Sequence, residues 1–504
     1  MNFIPCVTWV KRGVAAANPD KVQLTPQELE QIINQTQSDL RDVENGTDDS
    51  DEESTNSKKN GTKNEKITGN GEAMEDDEYH FDKYDEEGGN IHCNIGGLAV
   101  INEDGTDPYI TIPDSGDEDS EKEDDIIKPD DNLVVMGHVE GDASILEVFV
   151  YNEAEGSFYC HHDILLPSFP LCLEWLNFDP SDAKPGNFCA IGNMTPIIEV
   201  WDLDLVDCLE PVFKLGSKPS KKRKQKRVGH RDAVLDVAWN CNYTHVLASG
   251  SVDQTVLLWD LDNGTPVTKL NTFNEKVQAI KWHPSEAQHL LTGCGDKNAR
   301  LFDCRTENNF KIWECAGEVE RVLWNHFDPN YCFISTDNGN IHYIDIRNEK
   351  PLWLLSAHEK EVTGLSLSTS CPGLLVSCST DSYVKVWDAV DNKTPELVWE
   401  TKTNLGALQC LETSPNSPFM FAAGGDNKSH NFKLFDLLES TLVSERFSNR
   451  PMKKIVCEEN PPEVDVKLKS NTAEVMDVTD EMNSMALGSV STNSLSKKKK
   501  RNKK

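Results

Sequence analysis

The sequence predicts an all-β protein, a β-propeller of seven blades with four short strands in each. Two recurrences predict it. The dipeptide Trp-Asp stands at Trp201-Asp202, Trp259-Asp260 and Trp387-Asp388, with softened copies at Tyr151-Asn152, Phe302-Asp303, Ile344-Asp345 and Phe435-Asp436. From Trp259 through Phe302 and Ile344 to Trp387 the successive intervals are 43, 42 and 43 positions. A repeat of about 40 to 45 residues closing on Trp-Asp has the length of one four-stranded blade. The second beat is Trp175, Trp239, Trp282 and Trp324, at intervals of 64, 43 and 42, with Leu367 and Thr413 in the same register further on. These residues belong on an inner strand of each blade, packed against the next blade.

The ring is expected over residues 131–450. Blade one starts near Asn132 with LEVFVYN (146–152) as its third strand. Later blades carry paired runs such as VLDVAWN with TVLLWDLD, and VTGLSLS with YVKVWD, whose apolar residues alternate as in strands. The long tryptophan interval holds a Lys/Arg-rich insertion at 217–228 between blades two and three.

The flanks read differently. Residues 1–44 hold a compact Trp9 segment and then a helix from Pro26 to about Val43, with Thr25 as N-cap and Glu28 closing a capping box. Residues 45–130 form an acidic arm built of blocks such as DDSDEE and DSGDEDSEKEDD, too charged to bury a core. One apolar island, 98–101 and 107–112, reads as an extended segment lying against the ring. Residues 451–504 form a disordered tail ending in KKKKRNKK.

Bulk composition excludes several classes. The formal net charge is -35, so the chain as a whole is a poor binder of bare nucleic acid. The 15 cysteines are scattered without a Cys-x-x-Cys pair, which argues for reduced thiols rather than a zinc site or a disulfide framework. No run has signal-peptide or membrane-span length, so a soluble, non-secreted protein without membrane contact is expected.

His230, Ser249, Asp253 and Trp259 in blade three form the hydrogen-bonded set of a WD40 blade, and His358, Ser377, Asp381 and Trp387 repeat it in blade six. The Asp holds the turn between the second and third strands and accepts from the His, while the indole N–H finds the hydroxyl. A Ser-His-Asp hydrolase is rejected, since the Ser lies in a buried strand and no Gly-x-Ser-x-Gly turn is present. Asp296, Asp337 and Asp426 keep the turn position in blades expected to rely on packing. His161-His162-Asp163 is the densest group of possible metal ligands, but neighbours on a strand point to opposite faces, and these are expected to be surface residues. No metal, cofactor or catalytic residue is therefore expected.

Two basic runs are candidates for nuclear import or RNA phosphate contact. One comprises Lys221, Lys222, Arg223, Lys224, Lys226 and Arg227; the other Lys497, Lys498, Lys499, Lys500 and Arg501. Ser50, Ser115 and Ser120 precede acidic residues and are candidate phosphorylation sites for an acidophilic kinase.

The chain also resembles the periodic tryptophan protein 1 family. TWVKRGVA, FDKYDEEG, DPYITI, IKPDDNLVV, FYCHHDILLPSFPLCLEWLNFDP and GNMTPIIEVWDLD carry the likeness, which extends to about Asp436. The resemblance implies a non-enzymatic nucleolar factor of ribosome biogenesis, linked to maturation of large-subunit precursor rRNA. It further implies a monomeric ring within a larger complex, holding pre-ribosomal proteins and pre-rRNA. The alternative is a chromatin- or histone-binding propeller that regulates transcription, including that of ribosomal DNA.

Overall fold

The computed structural model describes residues 2–23, 25–27, 29, 32, 126–180, 185–218, 227–306, 309–390 and 393–453. Seven sheets make up the ring, six of four strands and one of three. The first strands of the sheets are Asn2–Val10, Pro170–Leu176, Val234–Trp239, Val277–Trp282, Val319–Trp324, Gly364–Leu367 and Leu408–Thr413. Each touches the next, and the seventh touches the first. That closed circuit is a seven-bladed propeller.

Burial follows position in the blade. Second strands lie between two neighbouring blades, so residues 188–193, 246–251, 331–336 and 420–425 are buried throughout. The outer strand Thr265–Leu270 alternates exposed and half-buried residues, the mark of a strand covered on one face. Third strands end on the Trp-Asp dipeptide or its softened form, and the closing Asp, or Asn in blade one, does one job in all seven blades. Asn152, Asp202, Asp260, Asp303, Asp345, Asp388 and Asp436 each accept the N–H two residues on, at 2.9 to 3.3 Å. This Asx turn reverses the chain off the third strand, which is why Asp or Asn recurs there.

The ring does not begin where the sequence suggests. The N-terminal segment, read in residues 1–44 as lying outside the blades of 131–450, supplies the innermost strand of blade one. Asn2–Val10 pairs antiparallel with Asn132–Glu140, which leads to Ala143–Asn152 and Ser157–Leu166. LEVFVYN is indeed in the third strand, but the first comes from more than 120 positions upstream. Asn2–Val10 packs on both faces, so it lacks the period-two pattern that would mark it, and its register shifts between Phe3 and Cys6. Trp9 extends the inner tryptophan beat into blade one, at 4% exposure. Its indole donates to the Glu412 carbonyl of blade seven at 3.4 Å, and the Cys410 thiol donates to the Ile4 carbonyl at 3.5 Å. The inner tryptophans of blades four and five bridge blades in the same way. Trp282 donates to the Ala238 carbonyl at 3.0 Å and Trp324 to the Lys281 carbonyl at 3.2 Å. Gly424 is needed at the seam, because a Cβ there would lie 2.6 Å from Ile4.

Blade seven has three described strands, Leu408–Thr413, Met420–Gly425 and Phe432–Asp436. A short helix, Thr441–Phe447, follows where the sequence reading expected none. It buries Val443 and Phe447 with Phe435 beside Trp399. Beyond it Arg450 holds Asp388 of blade six through two bonds of 3.0 and 2.8 Å, and Arg446 adds a third at 2.6 Å. Burial alone would raise the Asp388 carboxyl; Arg450 and Arg446 more than reverse this and hold it below its ordinary value.

Residues 23–123 form a separate unit. In it Pro26, Gln27, Leu29 and Ile32 are helical, and the Leu29 N–H donates to the Thr25 carbonyl at 3.0 Å. The remainder of the expected helix, the acidic arm with its apolar island, and the tail from 454 lie outside the described residues. Most of the described cysteines are buried, and burial pushes thiols such as Cys315 up to about 12. No helix among the described residues is long and apolar enough to cross a membrane.

Candidate interaction sites of the ring

The two WD40 sets are joined as hydrogen-bonded chains. His230 Nδ1 lies 3.1 Å from Asp253 Oδ2 and its Nε2 lies 2.7 Å from Ser249 Oγ, while the Trp259 indole donates to that same oxygen at 2.8 Å. In blade six the corresponding distances are 3.0 Å from His358 to Asp381, 2.8 Å to Ser377, and 2.9 Å from Trp387 to Ser377. A neutral imidazole protonated on Nδ1 satisfies every member: it donates to Asp, accepts from the Ser hydroxyl, and leaves that oxygen free to accept the indole. Burial lowers His358 against the pull of Asp381, which favours this neutral form. Burial would raise Asp253, but the hydrogen bonds it accepts from His230, the Thr255 hydroxyl and the Arg231 N–H outweigh it, and the carboxyl lies well below the usual range. Ser249 and Ser377 are fully buried. Their hydroxyls are committed on both sides and face no solvent, so these sets tie strands together and offer no nucleophile.

Blade four replaces the His of the set with a cation that sequence reading missed. Arg300 makes a two-pronged contact with Asp296, at 3.0 and 2.5 Å, and lies 5.2 Å from the Phe273 ring centroid. Burial would raise Asp296, yet Arg300 leads the groups that bring it below its ordinary value. The signal was an Arg four residues after the turn Asp. In blade seven Asp426 accepts the Ala407 N–H at 2.7 Å.

The first strands carry charge into the centre of the ring. Lys281 of blade four reaches Glu174 of blade two at 3.4 Å, skipping blade three. Asp236 accepts the Ile280 N–H at 2.7 Å, and Arg321 donates to the Thr363 carbonyl at 2.9 Å. Glu412 of blade seven completes the group. Burial, against the pull of Lys281 and with the charge of Glu174, pushes its carboxyl up to about 7. Glu174, Asp236 and Lys281 thus link three blades by side-chain contacts, while Glu412 couples through its charge.

His161 and His162 correct the expectation of opposite faces. A register shift lies between Val148 and Phe149, which pair with His162 and Cys160 and leave His161 as the extra residue. The bulge turns both rings together, with their Nδ1 atoms 2.8 Å apart. His162 is buried rather than on the surface, and burial, with His161 beside it, pushes it down to about 4. Among the described residues no group of three or more His, Cys, Asp or Glu is placed to hold a metal ion. A cavity of about 150 Å³ beside Arg12, Ile127 and Asp131 is smaller than the ~300 Å³ typical of ligand pockets.

Of the basic insertion, residues 219–226 lie outside the described residues, but its neck is defined. Ser217 and Val228 exchange backbone hydrogen bonds, 2.8 Å from the Ser217 N–H and 3.2 Å from the Val228 N–H. Gly216 and Gly229 flank this pair at φ 98° and 96°. Arg227 donates to the Arg231 carbonyl at 3.2 Å. Lys221, Lys222, Arg223, Lys224 and Lys226, Lys497 to Lys500 with Arg501, and Ser50, Ser115 and Ser120 fall outside the described residues.

Closed rings whose blades end on an Asp turn and lock through His, Ser, Asp and Trp define the WD40-repeat propellers. The family model for the WD domain, G-beta repeat, matches residues 221–260, 264–303 and 349–388. Periodic tryptophan protein 1 homolog of Drosophila melanogaster is 44% identical over 453 residues, covering 89% of this chain and 96% of the relative. Periodic tryptophan protein 1 of Saccharomyces cerevisiae is 30% identical over 530 residues, covering 89% and 90%. The chain belongs to the periodic tryptophan protein 1 family. A more limited likeness, 29% over 206 residues and 39% of the chain, links it to the ribosome biogenesis protein WDR12 homolog of Drosophila mojavensis.

Proposed function

We propose that this chain is a non-catalytic scaffold of nucleolar ribosome biogenesis, acting in pre-rRNA processing and large-subunit assembly. The observation that carries the reading is a closed ring of seven sheets with a Lys/Arg-rich insertion whose two ends are joined by the Ser217–Val228 pair. Its likeness to a ribosome biogenesis WD protein supports the assignment. The ring offers rims to pre-ribosomal proteins. Lys221, Lys222, Arg223, Lys224, Lys226 and Arg227, with the terminal Lys497 to Lys500 and Arg501, supply positive charge for precursor rRNA and for nuclear import.

Sucrose-gradient sedimentation tests this. Co-migration with large-subunit precursors that RNase abolishes, together with accumulation of unprocessed pre-rRNA on depletion, is the expected result. Normal processing after complete depletion overturns the reading. Replacing the Lys and Arg of both basic runs with Gln should leave the protein cytoplasmic, and unchanged nuclear localisation would refute the import role.

The net charge of -35 favours a second reading, a histone-binding propeller of chromatin. There a salt-stable complex with histones alone replaces the RNase-sensitive one.

A further inference from the structure

The open edge of blade seven is the largest departure from the ring's own rule. In blades two to six the third strand is covered by a fourth, and the residues it covers are buried. Val256 and Leu258 of blade three are 0% and 6% exposed, and Ala299 and Leu301 of blade four likewise 0% and 6%. The matching residues of blade seven are Phe432, opposite Gly424, and Leu434, opposite Ala422. Both are only half-buried, because among the described residues no strand lies beyond them.

The backbone of this edge is also open. The Asn431 carbonyl and the Leu437 N–H bond inward to residues 425 and 419. Antiparallel alternation then directs the N–H and C=O groups of Phe432 and Leu434 outward, towards the missing strand. Unpaired backbone beside half-buried aromatic surface invites strand addition. On one face Phe432 stacks on Phe158 of blade one at 5.9 Å between centroids, and Phe158 is itself 42% exposed. On the other face Lys433 stands exposed, its ammonium 4.9 Å from the centre of the Phe435 ring.

We propose that residues 463–469 of this chain, Glu-Val-Asp-Val-Lys-Leu-Lys, add to this edge as the fourth strand of blade seven. The segment alternates strictly, with Val464, Val466 and Leu468 on one side and Asp465, Lys467 and Lys469 on the other. That is the half-covered pattern of Thr265–Leu270. With its apolar side against Phe432, Leu434 and Phe158, Asp465 falls on the face of Lys433. Chain order agrees, since blades two to six take their fourth strand from the sequence after their third. The described chain ends at Lys453, whose N–H donates to the Ser370 carbonyl in the adjacent blade six. The ten residues from there to Glu463 and Val464 reach about 33 to 36 Å when extended, ample for a step to the neighbouring blade.

Hydrogen exchange on the full-length protein tests the assignment. The amides of Phe432 and Leu434 should exchange about 100-fold more slowly than unstructured amides. The triple variant Val464→Asp, Val466→Asp, Leu468→Asp and a truncation after Lys453 should each abolish that protection, with blades three and four unchanged. A synthetic peptide of residues 461–470 should restore it to the truncated protein. Fast exchange at Phe432 and Leu434 in the parent overturns the proposal. So does protection that survives both variants, which would mean another strand, or protection that rises with protein concentration, which would mean a second copy.

Discussion

Trp9→Ala isolates the contribution of the N-terminal strand to ring closure. The side chain is 4% exposed, inside a cluster with Ile4, Val134, Met136, Cys410 and Met420 drawn from blades one and seven. A buried tryptophan removes ~200 Å² from water, worth ~5 kcal/mol at ~25 cal/mol per Å². Truncation of buried aromatics to Ala costs about 3–5 kcal/mol, which agrees. The indole bond to Glu412 is long at 3.4 Å and adds no more than ~1 kcal/mol. The expected loss is therefore about 3–5 kcal/mol, and Trp9→Phe, which keeps most of the bulk, should lose only about 1–2 kcal/mol. Urea unfolding followed by far-UV circular dichroism measures both. A Trp9→Ala protein within about 0.5 kcal/mol of the parent would place Asn2–Val10 outside the ring and refute the closure described above.

Three further perturbations probe other joints. Ser249→Ala deprives His230 Nε2 and the Trp259 indole of their shared oxygen, and should cost about 2–4 kcal/mol in the same urea assay; an unaltered midpoint would show that the set does not hold the blade. Gly424→Val forces a side chain into Ile4 and should lower the melting temperature by several degrees, with Ile4→Ala partly restoring it; no rescue would mean the strain lies elsewhere. The folded-state carboxyl of Glu412 is raised to about 7 from an ordinary 4.5, so its contribution is fully present below about pH 4.5 and is lost as pH rises through about 7. Glu412→Gln should therefore flatten the decline of stability between those pH values; an unchanged slope in pH-dependent urea titrations would assign the decline to another group.

How far the fold can be read from the residues depends on whether the signal is local. The Asx turn after each third strand is made within three residues, so its Asp or Asn recurs visibly even where Trp becomes Phe, Ile or Tyr. The His-Ser-Asp-Trp sets are likewise contained within one blade. Asn2–Val10 is different: its partners are Leu133 to Glu140 on one side and blade seven on the other, and nothing near it in the chain announces either. The His161 bulge is set by the strand opposite, and the bridge from Lys281 to Glu174 by the curvature of the ring. The helix Thr441–Phe447 has seven residues, too few for a helical period to stand out.

The placement of Asn2–Val10 has a consequence for synthesis. This strand leaves the ribosome well before the surfaces that cover it, which emerge after residue 132 on one side and after residue 408 on the other. At roughly 5–20 residues per second the delay until Asp436 has been added is about 20–85 s. Throughout that interval Ile4, Val7 and Trp9 have only part of their final cover. A nascent chain of this design has to hold the nine residues Asn2–Val10 in waiting until the last blade arrives to receive them.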